Sequence, residues 1–283
     1  MKKALWISAL LLILGPIWLG CGDDHAVNSS NDYSAEEPFS FTVDVQDQTL
    51  FRLTGITGTI EVTGHPGTET ITISGHKRVR APSSAEAQAH LDDIQIEVQD
   101  YGEEVLVRTI YECDPEGRNY VVDYTITLPP DLETRISNQT GTTTVGQMEQ
   151  NVRADVITGG VVLEGIDGDA RIDVITGSVA LDDFTGSADV DLTTGTLVCR
   201  AVLPPDGVLD LRTITGNMTV HIPESTSAEL TASVATGQIS ISNLPLQNPN
   251  ISNHYISGQL GDGSGTITLQ VITGNMTISG FTD

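Results

Sequence analysis

Three aspartates have the spacing of a repeated row of metal ligands. Asp155, Asp173 and Asp191 stand 18 residues apart, which places them on one face if successive repeats stack. Stacked strands lie about 4.8 Å apart, so three carboxylates in a row repel one another. A divalent cation such as Ca²⁺, which prefers carboxylate oxygens, could relieve this repulsion. The alternative, which we favour, is a solvated face balanced by nearby arginines: Arg153, Arg171 and Arg212.

The cysteines offer a second kind of chemistry. Cys199 lies in an apolar column between Leu181 and Val220, so we expect a buried core thiol. Cys113 lies in a loop, and in an oxidising compartment a Cys113–Cys199 disulfide is an open alternative.

One basic cluster, His76 to Arg80, interrupts an otherwise acidic chain. It could dock an acidic partner or the acidic flank of another copy, but we favour local charge balance. The six histidines show no metal-binding spacing, and the sequence has no GxSxG, P-loop or CxxC motif. We therefore expect no enzyme activity and no cofactor.

Residues 1–20 have the parts of a secretory signal peptide: a basic start, an apolar run and a small residue before the cleavage point. The ending Trp18-Leu19-Gly20-Cys21 resembles the lipobox of bacterial lipoproteins, although Trp18 departs from that motif. The resemblance implies that Cys21 becomes the first residue and carries lipid, and two or more acyl chains anchor a protein stably. A plain secretory signal and an uncleaved anchor are the alternatives.

Residues 21–38 are polar and lack periodicity, which is typical of a flexible tether. The lipoprotein resemblance implies an extracytoplasmic protein that is anchored to the bacterial cell envelope through its lipid. Gly22, rather than Asp, after the cysteine favours the outer membrane if the bacterium is Gram-negative.

The charge balance excludes whole classes of partner. The 283 residues include 38 Asp+Glu and 13 Lys+Arg, a formal net charge of −25. Removal of Lys2 and Lys3 with the signal peptide leaves 38 acids against 11 bases, or −27. This excess of acid argues against nucleic acid, whose binding needs clustered Lys and Arg, and against adsorption to anionic lipid headgroups.

A Thr-Gly repeat dominates the chain. Its glycines are Gly58, Gly141, Gly159, Gly177, Gly195, Gly216, Gly237 and Gly274. From Gly141 onward the spacings are 18, 18, 18, 21, 21 and 37 residues, and apolar residues alternate with polar ones between the glycines, which is the strand period. The repeat predicts an all-β, single-stranded parallel β-solenoid (β-helix) with coils of 18–21 residues, each glycine forming a corner.

The form DVITGxVxL, found at Asp155–Gly159 and at Asp173–Gly177, resembles the putative-adhesin family of bacterial envelope proteins. The resemblance covers about residues 50–283. It implies a parallel solenoid outside the membrane, and it brings no catalytic residues with it.

The chain divides further at the double proline 129–130. Residues 39–130 are predicted as a mixed strand and helix portion that caps the first coil, with one helix at about 83–94. Ser83 and Glu86 have the spacing of a capping box at its start. Residues 131–283 are predicted as the regular solenoid. Its last coil has no obvious cap, so we expect an exposed edge there that allows self-association, unless residues 243–265 fold over it.

These features together predict a non-enzymatic, lipid-anchored envelope protein, acting as an adhesin or a structural scaffold. Its expected partners are the membrane, and an envelope protein or a surface polysaccharide. One alternative is a carbohydrate-active β-helix enzyme, a polysaccharide lyase or hydrolase that uses the aspartate row. The near absence of aromatic residues from the coils argues against it. Another alternative is a protein that forms filaments through its C-terminal coil.

Overall fold

A computed structural model describes residues 31–111 and 117–282. The predicted signal peptide, Cys21, residues 21–30 of the predicted tether, and Cys113 lie outside the described residues. No helix within the two described ranges is long and apolar enough to cross a membrane.

The N-terminal portion contains seven strands and a short helix. The strands are β1 (Tyr33–Asp44), β2 (Leu50–Thr57), β3 (Ile60–Gly64), β4 (Thr70–Ala81), β5 (Gln95–Asp100), β6 (Glu104–Ile110) and β7 (Asn119–Leu128). Helix α1 (Ser84–Ala89) is followed by one 3₁₀ turn, Leu91–Asp93. The Oγ of Ser83 accepts a hydrogen bond of 3.2 Å from the backbone N–H of Glu86, so the predicted N-cap is confirmed.

The middle of the chain contains the longest strands. They are β8 (Glu133–Thr140), β9 (Thr143–Met148), β10 (Val152–Asp167), β11 (Ala170–Thr185), β12 (Ala188–Val202) and β13 (Val208–Pro223). Strands β10 to β13 pair in parallel so that their repeats coincide and Gly159 lies beside Gly177. Along each long strand the alternation of buried and exposed residues shifts at the Thr-Gly pair, which divides it into two arms. The half before the glycine belongs to the first arm, with β8, and the half after it belongs to the second arm, with β9.

The C-terminal strands do not follow one another in space. They are β14 (Ala228–Thr236), β15 (Ile239–Ser242), β16 (Gln247–Ile251), β17 (Tyr255–Leu260), β18 (Gly265–Thr273) and β19 (Met276–Phe281). Strands β18 and β19 pair with β13 on one side and with β14 and β15 on the other. The last repeat is therefore internal and not an exposed end. The alternative expectation, that residues 243–265 cover the end of the stack, agrees with the structure, because β17 pairs antiparallel with β14 and β16 pairs with β17.

The predicted single-stranded parallel β-solenoid is wrong. The 19 strands of the described residues belong to one mixed sheet, in which parallel and antiparallel pairs occur together. The antiparallel pairs are β1–β4, β4–β7, β5–β6, β14–β17 and β16–β17. These pairs lie at the two ends of the stack, where hairpins reverse the chain and break the order that the repeat implies. The all-β class holds.

The core lies between the two arms and is filled by the inward residues of each strand. Among the fully buried side chains are Val62, Val145, Leu163, Leu181, Cys199 and Val220, which occupy one column. Full burial of one such aliphatic side chain contributes about 1.5–3 kcal/mol. At the N-terminal end, Ala87, Leu91 and Ile94 of the helical segment join the same core.

Strand β1 begins at Tyr33, inside the range that the sequence predicts as a tether. It pairs with β4 over its whole length, and Pro38 lies opposite His76. Lys77 contacts Glu37 at 2.9 Å and Arg78 contacts Glu36 at 2.5 Å. These pairs attach the segment that follows residue 30 to one end of the stack.

The internal position of the C-terminal repeat can be tested with engineered disulfides. Thr219 lies beside Thr277 across β13 and β19, whereas Ser240 is its counterpart in the next repeat along the sequence. Parallel neighbours lie within the Cα separation that a disulfide accepts. We expect a chain with Thr219→Cys and Thr277→Cys to form an intramolecular disulfide on mild oxidation, detected by a gel shift and peptide mapping.

The matched control carries Thr219→Cys and Ser240→Cys, which the structure separates by the inserted strand β19. Efficient cross-linking of the control, with none in the first pair, would show that the repeats stack in sequence order.

Candidate interaction surface

The corner glycines form one column through the stack. Their φ angles lie between +135° and +153°, where residues with a Cβ are strained. A Cβ built on Gly177 would overlap the carbonyl oxygen of Gly159, and one on Gly195 would overlap that of Gly177. The column runs in the order Gly58, Gly141, Gly159, Gly177, Gly195, Gly216, Gly274 and Gly237. Backbone packs directly on backbone at this corner, so it admits no side chain.

A threonine stands immediately before each of these glycines. Seven of the eight are exposed, and Thr57 is half-buried. Each threonine is paired in register with the next, in the order Thr57, Thr140, Thr158, Thr176, Thr194, Thr215, Thr273 and Thr236. Because the glycine turns the chain outward here, six of the eight residues before the threonines are exposed as well. Four of these six are isoleucines that are 41–52% exposed: Ile157, Ile175, Ile214 and Ile272.

We define the corner ridge as four residues from each repeat: the residue before the threonine, the threonine, the glycine, and the residue after the glycine. Polar uncharged residues dominate the position after the glycine, such as Thr142, Ser178 and Asn217. Asn217 accepts a hydrogen bond from the backbone N–H of Asn275, and Asn275 accepts one from that of Gln238. The corner ridge contains no Asp, Glu, Lys or Arg.

The outward surface of the first arm is the opposite in character. Six of the ten arginines lie on it: Arg52, Arg108, Arg135, Arg153, Arg171 and Arg212. Four of them stack in one column, with Arg135 between Arg52 and Arg153. We call this surface the charged face.

The aspartate row lies on the charged face beside the arginine column. Asp155, Asp173 and Asp191 are register partners, as the 18-residue spacing predicts. Arg153 contacts Asp155 at 3.0 Å and Asp173 at 3.7 Å, and Arg171 contacts Asp173 at 3.4 Å. Arg171 also contacts Asp189, and Arg212 contacts Asp191 and Asp210. The expected balance by Arg153, Arg171 and Arg212 is therefore present.

In the part of the chain that the structure describes, no three His, Cys, Asp or Glu side chains are placed to hold a metal ion. Asp155, Asp173 and Asp191 each contact at least one arginine. Exposed pairs of this kind contribute about 0–1 kcal/mol each.

The remaining candidate residues have local partners. Lys77 and Arg78 of the basic cluster pair with Glu37 and Glu36, and Arg78 also approaches Asp123 at 3.4 Å. This agrees with local charge balance. Cys199 is fully buried, and burial raises the pKa of its thiol to about 12, which makes it a core residue with little thiolate at neutral pH.

Two shallow depressions occur on the described surface. One, of about 310 Å³, is lined by Asn31, Asp32, Tyr33, Ser34 and Arg80. The other, of about 220 Å³, lies beside Leu203, Pro205 and Pro223. Neither lining contains a histidine, a cysteine or a pair of carboxylates.

The sequence predicted the stacked Thr-Gly column and the aspartate row but not the exposed residues before the threonines or the arginine column. The same 18-residue arithmetic would have placed Arg135 before Arg153. The exposure of the isoleucines could not be read from the alternation, because the corner interrupts it.

The comparisons with known proteins give distant structural neighbours. No protein-family model and no curated protein matches the chain. A solved putative cell adhesion protein from Clostridium sporogenes is 15% identical, with 87% of this chain and 100% of the other covered and a TM-score of 0.31. A putative adhesin from Bacteroides fragilis is 12% identical, with 87% and 97% covered and a TM-score of 0.30. A putative lipid binding protein from Parabacteroides distasonis is 12% identical, with 86% and 96% covered and a TM-score of 0.24. TM-scores this low do not establish a shared fold.

The backbone contact at the corner predicts a large effect of one methyl group. We expect Gly177→Ala to destabilise the protein by about 3 kcal/mol or more, because it combines an unfavourable φ with overlap against Gly159. Gly67→Ala is the control, since its φ is also positive (+81°) but a Cβ there meets nothing within 4 Å; we expect a loss of about 1 kcal/mol. Urea unfolding measures both. Equal losses in the two variants would contradict the stacked-backbone corner.

The aspartate row predicts a specific pH dependence. Burial raises the pKa of Asp173 above its usual value of 3.8, Arg171 lowers it, and Asp155 and Asp191 raise it. Folding thus disfavours the ionised form of Asp173. The free energy of unfolding therefore falls as the pH rises from 3.8, the usual pKa, through the higher pKa of the folded state. We expect Asp173→Asn to be more stable than the wild type at pH 7, and this difference to vanish below pH 3.8.

Asp262 provides the matched control, because the hydrogen bond from the backbone N–H of Ser264 to its carboxylate lowers its pKa. Asp262→Asn should lower the thermal midpoint at neutral pH, with the difference disappearing as the pH falls through the folded pKa. If both substitutions shifted the thermal midpoint at pH 7 in the same direction, the opposite pKa shifts assigned to Asp173 and Asp262 would be refuted.

Proposed function

We propose that the protein is a lipid-anchored cell-envelope protein that acts through surface contact, as an adhesin or a structural scaffold, and not through catalysis. The observation that carries this proposal is the corner ridge. It is a rigid, uncharged surface that runs through eight register-matched repeats of a chain whose net charge is −25.

The pairing of β1 with β4 supports an anchor on the N-terminal side of the folded stack. Residues 1–30 precede this strand, and they include the lipobox-like Cys21. Strand β1 is held on β4 by twelve register partners and by the ion pairs of Glu36 and Glu37. A pull on the N-terminus is therefore resisted by the hydrogen bonds of a long strand and not by a single loop.

The acidity of the rest of the surface fits the same role. Like-charged copies repel one another at close range, which keeps neighbouring molecules apart on a membrane. The ion pairs of the charged face leave few free cations that could attract anionic lipids. In this proposal contact is made by the uncharged surface, and the acidic surface limits lateral association.

Lipid anchoring is tested in a Gram-negative host that expresses the full chain. We expect the wild type to incorporate an alkyne-labelled fatty acid and to fractionate with membranes. Protease added to intact cells then reports the side of the outer membrane, because it digests the protein only if the protein lies on the cell surface. Cys21→Ser should abolish labelling and release the protein from membranes. The control, Cys199→Ser, should keep its label. Membrane retention of Cys21→Ser without label would favour an uncleaved anchor.

The contact function is tested with the same cells. Cells that carry the wild-type protein should adhere to surfaces or aggregate with envelope fragments more than cells that carry only the vector. Equal adhesion, together with unchanged resistance of the envelope to detergent, would eliminate both the adhesin and the scaffold role.

A further inference from the structure

We propose that the corner ridge binds an uncharged polysaccharide chain that lies along the stack. The proposal rests on the contact function above and names the class of ligand and the residues that recognise it. It starts from the hydroxyl groups of the ridge threonines. Thr57 bonds Tyr111, but the other seven hydroxyls have no hydrogen-bond partner within residues 31–111 and 117–282.

These free hydroxyls form a regular array. Register pairing places neighbouring threonines about 4.8 Å apart, so the eight threonines span about 34 Å and the seven free hydroxyls about 29 Å. Each hydroxyl can donate one hydrogen bond and accept two, which matches the alternating donors and acceptors of sugar hydroxyls. The array therefore favours a ligand that is itself a repeated, hydroxyl-rich chain.

The exposed isoleucines supply the second half of the recognition. Ile157 and Ile175 lie beside Thr158 and Thr176, and Ile214 and Ile272 repeat the arrangement two strands further along. These side chains, which are 41–52% exposed, form two pairs separated by Thr193 of β12, and each pair presents an apolar patch next to the hydroxyl row. A sugar ring has hydroxyl groups at its edges and C–H groups on its faces. The threonine row can hydrogen-bond to the edges, and the isoleucines can contact the faces. No aromatic residue is part of the ridge, so the isoleucines take the place of a stacking platform.

Charge selects a neutral chain over an acidic one. The ridge carries no formal charge, and the acids elsewhere on the chain repel polyanions. The distal end of the stack continues this neutral surface, because residues 230–282 contain a single formally charged residue, Asp262. An acidic polysaccharide has no free cationic row to bind, since the arginine column is engaged with carboxylates.

The shape of the ridge favours a polymer over a second copy of the protein. Four residues along the strand measure about 13 Å, which gives the ridge an area of about 450 Å². A standard protein–protein interface buries about 800 Å² on each partner. The ridge is thus too narrow for a stable dimer, while its length accommodates an extended chain of several sugar units.

The test is affinity electrophoresis of the purified full chain in gels that contain a neutral glucan, mannan or galactan, or an acidic uronate polymer. We expect at least one neutral polysaccharide to retard the wild type, and the uronate to leave it unretarded. The ridge variant carries Thr158→Val, Thr176→Val and Thr194→Val, which removes three hydroxyls and keeps shape and strand propensity. Its binding should weaken by about tenfold or more.

The matched control carries Thr231→Val, Thr266→Val and Thr268→Val. These threonines are exposed or half-buried on the first arm, away from the ridge. The control should bind as the wild type does, and the circular dichroism melting curves of all three proteins should coincide. If the triple ridge variant melts at a lower temperature than the wild type, single Thr→Val substitutions are measured in its place. Each of them should weaken binding about twofold or more.

Three results would overturn the proposal. They are equal binding by the wild type and a folded ridge variant, absence of binding to every neutral polysaccharide in the panel, and preferential binding of the uronate. If sedimentation shows that the wild type self-associates and that the ridge variant does not, the occupant is a second copy and the polysaccharide is excluded as the main ligand.

The cell assay separates this inference from the proposed function. Adhesion that survives in cells carrying the ridge variant would leave the contact function standing and reject the ridge as its site. Loss of adhesion in that variant alone, with the control variant unchanged, supports both.

Discussion

Direct backbone-on-backbone packing at the glycine corner is the constraint on which the rest of the molecule depends. Each corner glycine lies against the carbonyl of the glycine in the neighbouring repeat, at a φ that other residues avoid. The contact brings the two arms of every repeat to the same angle, so that the inward columns coincide and the core becomes continuous. It also turns the residues around it outward. The exposed threonines and isoleucines are therefore a geometric consequence of the same corner that builds the core.

The two outward surfaces divide the polar chemistry of the chain between them. The charged face gathers six arginines with their carboxylate partners, and the corner ridge has no charged residue. Like charges stack over part of each column of the charged face, and the arginines compensate by contacting carboxylates both within their own column and in the neighbouring one. This cross-linking by ion pairs leaves little capacity to bind an outside anion or cation. The neutral ridge has hydroxyls without a hydrogen-bond partner in the described residues instead, and they form a register-matched row.

Much of the middle of the fold is predictable from the sequence, because the 18-residue period specifies the register of β10 with β11 and of β11 with β12. The order of the repeats at the two ends is not. All repeats share the same inward pattern, so Leu211 packs as well beside Leu269 as beside Ala232, and the periodicity does not choose between them. The near identity of residues 213–220 and 271–278 was a signal that these segments are neighbours. The helix cap at Ser83 was predictable, because a local hydrogen bond decides it. The edge pairing of β1 was not, because its sequence is largely polar and its partners on β4 lie 26 or more residues away.

The insertion of the last repeat has a consequence for the order in which the fold can be completed. Strands β18 and β19 fill the space between β13 and β14, so the stack stays open until residue 281 is present. Because a ribosome makes the chain from its N-terminus, this end of the stack cannot form while the last residues are still unmade. Strands β14 and β15 therefore lack their link to β13 until synthesis is nearly complete. The topology thus makes the folding of this end a post-translational event.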